Sequence, residues 1–348
     1  MTNVSITTGA RLHFGPLDVS APAGGRFGGV GVMIDHPRTV IAATNAPVDL
    51  VRGDDSTTKR VMEFLQRIRK AIPDQYRVPC EIDVKETIPA HYGFGSGTQL
   101  GLAVALAMSI VAKEPTPFLE ELDVVCGANV SSVHRAEAPG KPLVAALEVL
   151  AHRVGRGLRS AIGLHGFQQG GFLVDGGRPE SNKLGTLVTR VEFPSDWRFV
   201  LASPQQAIGL SGDAEQSAFA RQTAMPRQLT GELCRIVLME WLPSVIEADF
   251  ARCGDSMFEY GNAVGEFFSP TQGGVFAHPR MAEWAEKVRQ RGIRGVAQTS
   301  WGPTLAALCS SDAMARQLHS DFTKDSAWND CSFHVVSPLN RGAAIHRV

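Results

Sequence analysis

An α+β fold with mixed or antiparallel sheets and packed helices, divided into two units, is predicted from three observations. Strand-like and helical stretches intermingle without the strict alternation that a parallel sheet requires. Residues 3 to 51 are β-like segments parted by glycine turns. IPAHYGFGSGTQLGLAVALAMSIVA, residues 88 to 112, joins a short glycine-rich turn directly to a long apolar helix of small residues.

VSITTGARLHFG, VMID, TVIAAT and VDLV have the alternation and β-branched content of strands, with PAGGRFGGVG as the first turn. A helix is predicted from about Thr57 to Ala71, and EIDVKETI alternates as a strand that Pro89 ends. Behind the glycine turn comes the apolar helix, then helical stretches at about 118 to 135 and 142 to 154, then the strand GGFLVDGG. The first unit is expected to span residues 1–177 and the second 178–348. In the second, LVTRVEF and WRFVLASP read as strands, and helices run from Gly212 to Phe268. Helix MAEWAEKVRQRG, strand GVAQTS, turn WGPT, helix LAALCSSDAMARQLHSDF and strand CSFHVVSP complete it.

Charge and composition exclude several classes. The 348 residues carry a formal net charge of -1, so no basic field marks a nucleic-acid partner or a membrane surface. The longest apolar run, Leu100 to Ala112, is far short of a bilayer span. The amino terminus lacks a signal pattern, and a cytoplasmic location is expected. Six scattered cysteines without a Cys-x-x-Cys pair indicate buried thiols rather than a zinc site or disulfide framework.

The chemistry starts at Gly93, Gly95 and Gly97, which let backbone N–H groups crowd together ahead of a helix whose first turn has unfilled donors and a positive dipole end. That is an anion cradle, best suited to phosphate, with Ser96 and Thr98 offering hydroxyls. The spacing fits neither a P-loop, which needs Gly-Lys-Ser/Thr, nor the dinucleotide fingerprint. The competing reading is a helix start whose glycines serve tight packing. Arg11 and His13, two apart on a strand, share a face.

Pro89, Gly93, Gly95 and Ser96 match the second motif of the GHMP superfamily, which the chain resembles over nearly its whole length. IEADFARCGDSMFEYGNAVGEFFSP is similar to the carboxy-terminal helix pair of that superfamily and GVAQTSWGPTLAAL to its third motif, so the resemblance implies a two-domain GHMP-kinase-like fold. One departure bears on the chemistry. The superfamily's kinases carry an aspartate in a Ser-Gly-x-Asp box, where this chain has Ser160-Ala161-Ile162-Gly163. They usually offer an amino-terminal lysine, where this chain has ARLHFG. Phosphoryl transfer works by positioning and charge neutralisation, so a kinase is disfavoured.

ARLHFGPLD, GRFGGVG, GFGSGTQL, GRGLRSAIG, GLSGDAEQSAF and QTSWGPT together resemble the β-ribofuranosylaminobenzene 5'-phosphate synthase family of tetrahydromethanopterin biosynthesis. That resemblance implies condensation of 5-phosphoribosyl-1-pyrophosphate (PRPP) with 4-hydroxybenzoate or 4-aminobenzoate, releasing CO2 and pyrophosphate. It implies small-molecule substrates, magnesium, no organic cofactor and a homodimer. Whether the glycine loop holds the pyrophosphate or the 5'-phosphate is open.

Under this reading Arg11 binds phosphate or carboxylate and His13 polarises or deprotonates the para substituent. Arg159 and Ser160 occupy the aspartate box, and Arg26 lies in a glycine loop that can approach a ligand. Thr299 and Ser300 offer hydroxyls, Trp301 can stack on the benzoate, and Asp18 and Glu215 are the acids for magnesium or ribose hydroxyls. Each has a structural alternative: a salt bridge, a packed histidine, a hairpin or helix-end arginine, interdomain tryptophan packing. Asp54 and Asp55, after the strand VDLV, resemble the PRPP loop of type I phosphoribosyltransferases, but Lys59 stands where that loop has glycine, and helix capping is favoured. The rivals to the transferase are a small-molecule kinase with a rearranged base and a non-catalytic binding protein.

Overall fold

In β1 (Asn3–Pro16) the first residues alternate between buried and partly exposed, and those from Ala10 on are almost wholly buried. The strand therefore starts near the surface and ends in the middle of the molecule. The computed structural model describes residues 3–20, 26–113, 141–157, 159–179, 183–206, 209 and 224–347, with side chains of 141–146 excepted.

β1 lies antiparallel between β2 (Gly29–Asn45) and β11 (Ala344–Arg347). One half of β2 pairs antiparallel with β4 (Cys80–Glu86), which takes β3 (Leu50–Arg52) in parallel. The other half pairs with β5 (Phe172–Asp175), which carries β6 (Leu187–Val191). These make a seven-stranded sheet. The second sheet has four antiparallel strands, in the order β10 (Cys331–Val336), β7 (Arg198–Pro204), β9 (Leu305–Cys309), β8 (Val296–Gln298).

Helix α2 (Ser96–Val111) is buried at every residue from Gln99 to Val111, as a helix apolar on all sides must be. It packs with α1 (Asp55–Ala71), α3 (Lys141–Arg153) and α4 (Ile162–Gln169) against the first sheet. Small residues make this possible: a Cβ at Gly101 would stand 3.2 Å from both Phe64 and Val154. Asp54 caps α1, accepting from Thr57 N at 3.0 Å, so the acidic pair is a helix start.

A second core joins the two sheets. α5 (Arg227–Arg235), a π-helical turn at Ile236–Trp241, α6 (Leu242–Ile246) and α7 (Phe250–Gln272) bury Trp241, Tyr260 and Val264 with Leu12 and Phe14 of β1 and with Phe199 and Leu201 of β7. The alternate residues of β7, Val200 and Ala202, face a third core under α8 (Pro279–Gln290) and α9 (Asp312–Lys324).

The α+β prediction holds, with three revisions. LAALC is not the start of a helix but β9, because five consecutive apolar residues buried on both faces of a sheet have no period that separates strand from helix. The helix begins after Ser311, whose hydroxyl caps Met314 N at 3.2 Å. VMID and TVIAAT are one strand, β2. β11 was not foreseen, and both it and β6 lie beyond residue 178 yet pair into the first sheet. The stretch 118 to 135 lies outside the described residues. The described cysteines are free, and all but Cys234 are buried.

Tyr260 Oη donates to Gly15 O at 2.9 Å inside the shared core. Tyr260→Phe is expected to cost about 1–2 kcal/mol in urea unfolding, since it strips a buried carbonyl of that donor.

Candidate active site

The glycine loop is built on positive backbone angles: φ is 68° at His91, 83° at Gly93 and 74° at Gly95, and Gly95 is the N-cap of α2 without a capping side chain. Each glycine makes room for something different. A Cβ on Gly93 would run into Thr299 O, one on Gly95 would stand 3.1 Å from Arg11 Cγ, and one on Gly97 would stand 2.6 Å from an Arg156 terminal nitrogen. Gly93 therefore serves packing, while Gly95 and Gly97 admit two guanidinium groups beside the helix N-terminus.

Arg11 is held twice: its N–H donates to Phe94 O at 3.1 Å and its Nη1 to Gly93 O at 2.5 Å. His13 N donates to Thr299 Oγ1 at 3.0 Å, Thr299 Oγ1 donates to Gly93 O at 2.8 Å, and Ser300 N donates to His13 O at 2.6 Å. The His13 ring is buried and its Nε2 has no hydrogen-bond partner. Burial, then the charges of Arg11 and Arg159, hold its pKa well below the ordinary 6.5, so the imidazole is neutral at pH 7.

These groups line a cavity of about 680 Å³. Arg11, Arg60, Arg67, Arg156 and Arg159 line it, and among the described residues Glu63 is the only carboxylate that does. Phe14, Val264, Phe268 and Trp301 form an apolar wall, with the Trp301 ring edge-on to Phe268 at 4.9 Å. A backbone near Gly261 and Gly265 of α7 completes that wall.

Of the residues singled out in the sequence, Arg11, His13, Gly93, Gly95, Ser96, Gly97, Thr98, Arg159, Ser160, Ser300 and Trp301 come together around this cavity. Thr299 is fully buried and its hydroxyl joins β1 to the glycine loop, so it holds the site together from behind. Asp18 is elsewhere: its carboxylate accepts from Ser20 N at 2.7 Å and Thr230 Oγ1 at 3.0 Å, tying the β1–β2 turn to α5. Arg26 also stays in the hairpin, donating to Val19 O at 2.7 Å with its guanidinium over the Phe27 ring. Both are absent from the described cavity lining, their polar groups being taken up by Ser20, Thr230 and Val19. Glu215 lies outside the described residues.

The aspartate box has no acid facing the cavity. Gly163 backs onto α2, its carbonyl accepting from Gln99 Nε2 at 2.7 Å. Asp175, at the end of β5, lies beneath the box and is fully buried. Its oxygens accept from Ala161 N at 2.7 Å and Gly177 N at 2.8 Å, and Ser160 Oγ approaches at 3.4 Å. It supports the loop carrying Arg159 and Ser160 without lining the cavity.

Arg60, Arg67 and Arg156 were missed in the sequence. The first two are seven apart on the predicted helix, hence on one face, and Arg156 stands between the glycines of Gly155-Arg156-Gly157, a backbone free to approach a ligand.

Comparison with known proteins agrees with this geometry. Residues 56–137 match the GHMP kinases N terminal domain, a span that holds the glycine loop and α2. Over 359 residues, covering 98% of each chain, the sequence is 28% identical to β-ribofuranosylphenol 5'-phosphate synthase of Archaeoglobus fulgidus. The Methanothermobacter thermautotrophicus protein of that name is 28% identical over 274 residues, 73% of this chain and 74% of the relative. The chain resembles enzymes of the GHMP-kinase superfamily. It is an enzyme related to the synthases named. The superfamily fold is shared with mevalonate diphosphate decarboxylase from Staphylococcus aureus at a TM-score of 0.63 and 13% identity, over 99% of this chain and 98% of the other. Homoserine kinase from Cytophaga hutchinsonii gives a TM-score of 0.59 and 13% identity, over 99% and 97%.

Burial pushes the Asp175 carboxyl from the ordinary 3.8 up to about 6, against the pull of its three donors. The folded state thus holds this proton more tightly than the unfolded chain, and the stabilisation is complete below pH 3.8 and lost as pH rises through about 6. Relative to Asp175→Asn, the wild type is expected to lose ~3 kcal/mol of unfolding free energy between pH 4 and 7. Urea titrations of both proteins across that range measure it; parallel curves would place this carboxyl at its ordinary value.

Proposed function

We propose that the chain is a decarboxylating C-ribosyltransferase that joins PRPP to a para-substituted benzoate, releasing CO2 and pyrophosphate. The observation that carries this reading is the cavity's charge: five arginines and a helix N-terminus, with Glu63 as the only described carboxylate of the lining. Such a lining suits a ligand with three phosphate groups and an aromatic acid, and offers little to an alcohol waiting to lose a proton. The relatives are named for a ribofuranosylphenol product, which favours 4-hydroxybenzoate over 4-aminobenzoate. The reaction would supply the arylribose of tetrahydromethanopterin biosynthesis.

In the reaction the bond from ribose C1 to the pyrophosphate oxygen breaks, and the electron pair leaves with pyrophosphate. The ring carbon bearing the carboxylate, para to the hydroxyl, forms the new bond to C1. The bond to the carboxylate then breaks, its electrons restore the aromatic ring, and CO2 departs. No proton is gained or lost overall. Backbone donors at Gly95–Gly97 with Arg11 and Arg156 would hold the departing charge in a preorganised form. Neutral His13, with Nε2 uncommitted, would accept a hydrogen bond from the para hydroxyl as positive charge grows on the ring. Arg159 would hold the benzoate carboxylate, and the Phe268–Trp301 wall its ring.

For the magnesium that the resemblance implies, no cluster of three metal-ligating groups occurs among the described residues, the Asp18 carboxylate is taken up by Ser20 and Thr230, and Glu215 lies outside the described residues. No step is assigned to the metal. A homodimer and a cytoplasmic location remain part of this proposal, and no helix among the described residues is long and apolar enough to cross a membrane.

Incubation with PRPP, magnesium and each aromatic acid, following CO2 and pyrophosphate, tests the reading. Equal release of both with 4-hydroxybenzoate is expected. No release with either acid, alongside ATP-dependent phosphorylation of an alcohol, would overturn it. Gly97→Ala is expected to raise the KM for PRPP about tenfold, since its methyl group displaces Arg156, while leaving that of the aromatic acid unchanged. Arg159→Ala should raise the KM for the aromatic acid and move the acid limb of the kcat/KM profile to higher pH, because this cation depresses the His13 pKa.

A further inference from the structure

The glycine loop accounts for only part of the cavity's positive charge. α1 presents Arg60, Phe64 and Arg67 at spacings of four and three, so their side chains share one face. The Arg156 guanidinium lies 5.5 Å over the Phe64 ring and beside Gly97, bridging that face to the loop. Arg67 Nη1 would stand 2.7 Å from a Cβ on Gly155, so the backbone turn after α3 leaves room for it. Arg60 is half-buried, and burial makes it less basic than an exposed arginine although Asp54 and Glu63 oppose the effect. Neither Arg60 nor Arg67 is held in an ion pair or hydrogen bond with another described residue. They are cations brought to a cavity wall where Glu63 is the only carboxylate of the lining among the described residues.

The cavity therefore has an order. At one end are the α1 arginines, then Arg156, then the glycine loop with Arg11. His13 follows two residues along β1, and beyond it lie Phe14, Val264, Phe268 and Trp301. We propose that Arg60 and Arg67 form a second anion subsite, which binds the 5'-phosphate of the ribosyl donor, and that the glycine loop with Arg11 binds the pyrophosphate. This rests on the PRPP reading above. Pyrophosphate is bonded to the carbon that meets the aromatic ring, so it falls on the cationic group next to the aromatic wall. The 5'-phosphate, across the sugar ring from that carbon, reaches the farther one. Arg156, between the two, touches either. The subsite would make the enzyme specific for a 5-phosphorylated sugar, because an unphosphorylated ribose leaves these guanidinium groups without their anion.

Binding of ribose 5-phosphate and of inorganic pyrophosphate, each measured by calorimetry at one fixed salt concentration, separates the subsites. In the Arg60→Ala/Arg67→Ala protein, the Kd for ribose 5-phosphate is expected to rise at least tenfold, with that for pyrophosphate changing less than twofold. Arg11→Ala should give the reverse. Arg60→Lys/Arg67→Lys, which keeps the charge, should recover most of the ribose 5-phosphate affinity and serves as the control for folding. Equal weakening of both ligands in the alanine protein would mean one undivided field, and selective loss of pyrophosphate would mean the opposite assignment. Either result, or no change in either ligand, overturns the subsite while leaving the PRPP reading intact. Wild-type protein that binds ATP but neither ligand overturns the PRPP reading, and the subsite falls with it.

Discussion

The site depends on a buried junction where three backbone segments meet at one hydroxyl. Thr299 Oγ1 accepts from His13 N and donates to Gly93 O, and the adjacent peptide at Ser300 donates to His13 O. β1, the glycine loop and the turn beyond β8 are thereby fixed at hydrogen-bond distance. His13 and Thr299 are buried, so separating these segments would leave buried polar groups unmatched, at about 1–3 kcal/mol each. The junction continues into the second sheet, since Thr299 N donates to Thr304 O and Thr304 Oγ1 meets Ser203 Oγ at 2.7 Å. Arg11 and His13 inherit their positions from this contact. One residue of displacement along β1 would turn both to the opposite face.

Such rigidity matters because the cavity collects like charges. Five guanidinium groups around one space repel one another, and a loose backbone would let them separate into solvent. The glycines prevent that by proximity: Gly95 and Gly97 leave only enough room for Arg11 and Arg156 to lie flat against the loop. Phe64 adds an aromatic face under Arg156. Burial first, and then the charges of Arg11 and Arg159, keep His13 neutral. Its imidazole nitrogen without a partner is thus a consequence of being buried beside two fixed cations rather than a separate feature of the sequence.

The glycine loop was legible because it is local: three glycines and a following apolar helix lie within one stretch, and their backbone angles follow from residue type. Arg11 and His13 were legible for the same reason, through the two-residue period of a strand. Asp18 and Arg26 lie outside the described cavity lining because a turn rich in glycine permits ligand approach but equally permits the chain to satisfy its own side chains, and here it does so through Ser20, Val19 and Thr230. Thr299 looked like a ligand hydroxyl because its partners, His13 and Gly93, are far away in sequence. Arg60 and Arg67 carry a helical period that any solvated face also carries, and only the packing of α1 on α2 shows that this face borders the cavity. β9 was read as helix because complete burial erases the alternation that marks a half-exposed strand.

The exchange of an acid for Gly163 gains its meaning from where the nearest buried carboxylate does sit. Asp175 is close to the box in space, yet its oxygens face the peptide groups of Ala161 and Gly177 and the hydroxyl of Ser160. A base that is to take a proton from an alcohol must reach it, and this carboxylate is turned inward to hold the loop instead. A buried carboxylate beneath the cavity instead of facing it bears on what the scaffold can stabilise. With a carboxylate at the box, the arginines would be partly neutralised and an alcohol could be activated. Without one there, Glu63 is the only described carboxylate of the lining, and the field favours the ligand that brings the most negative charge and loses some of it in the reaction. A ribosyl pyrophosphate meets both conditions, whereas a neutral acceptor alcohol meets neither.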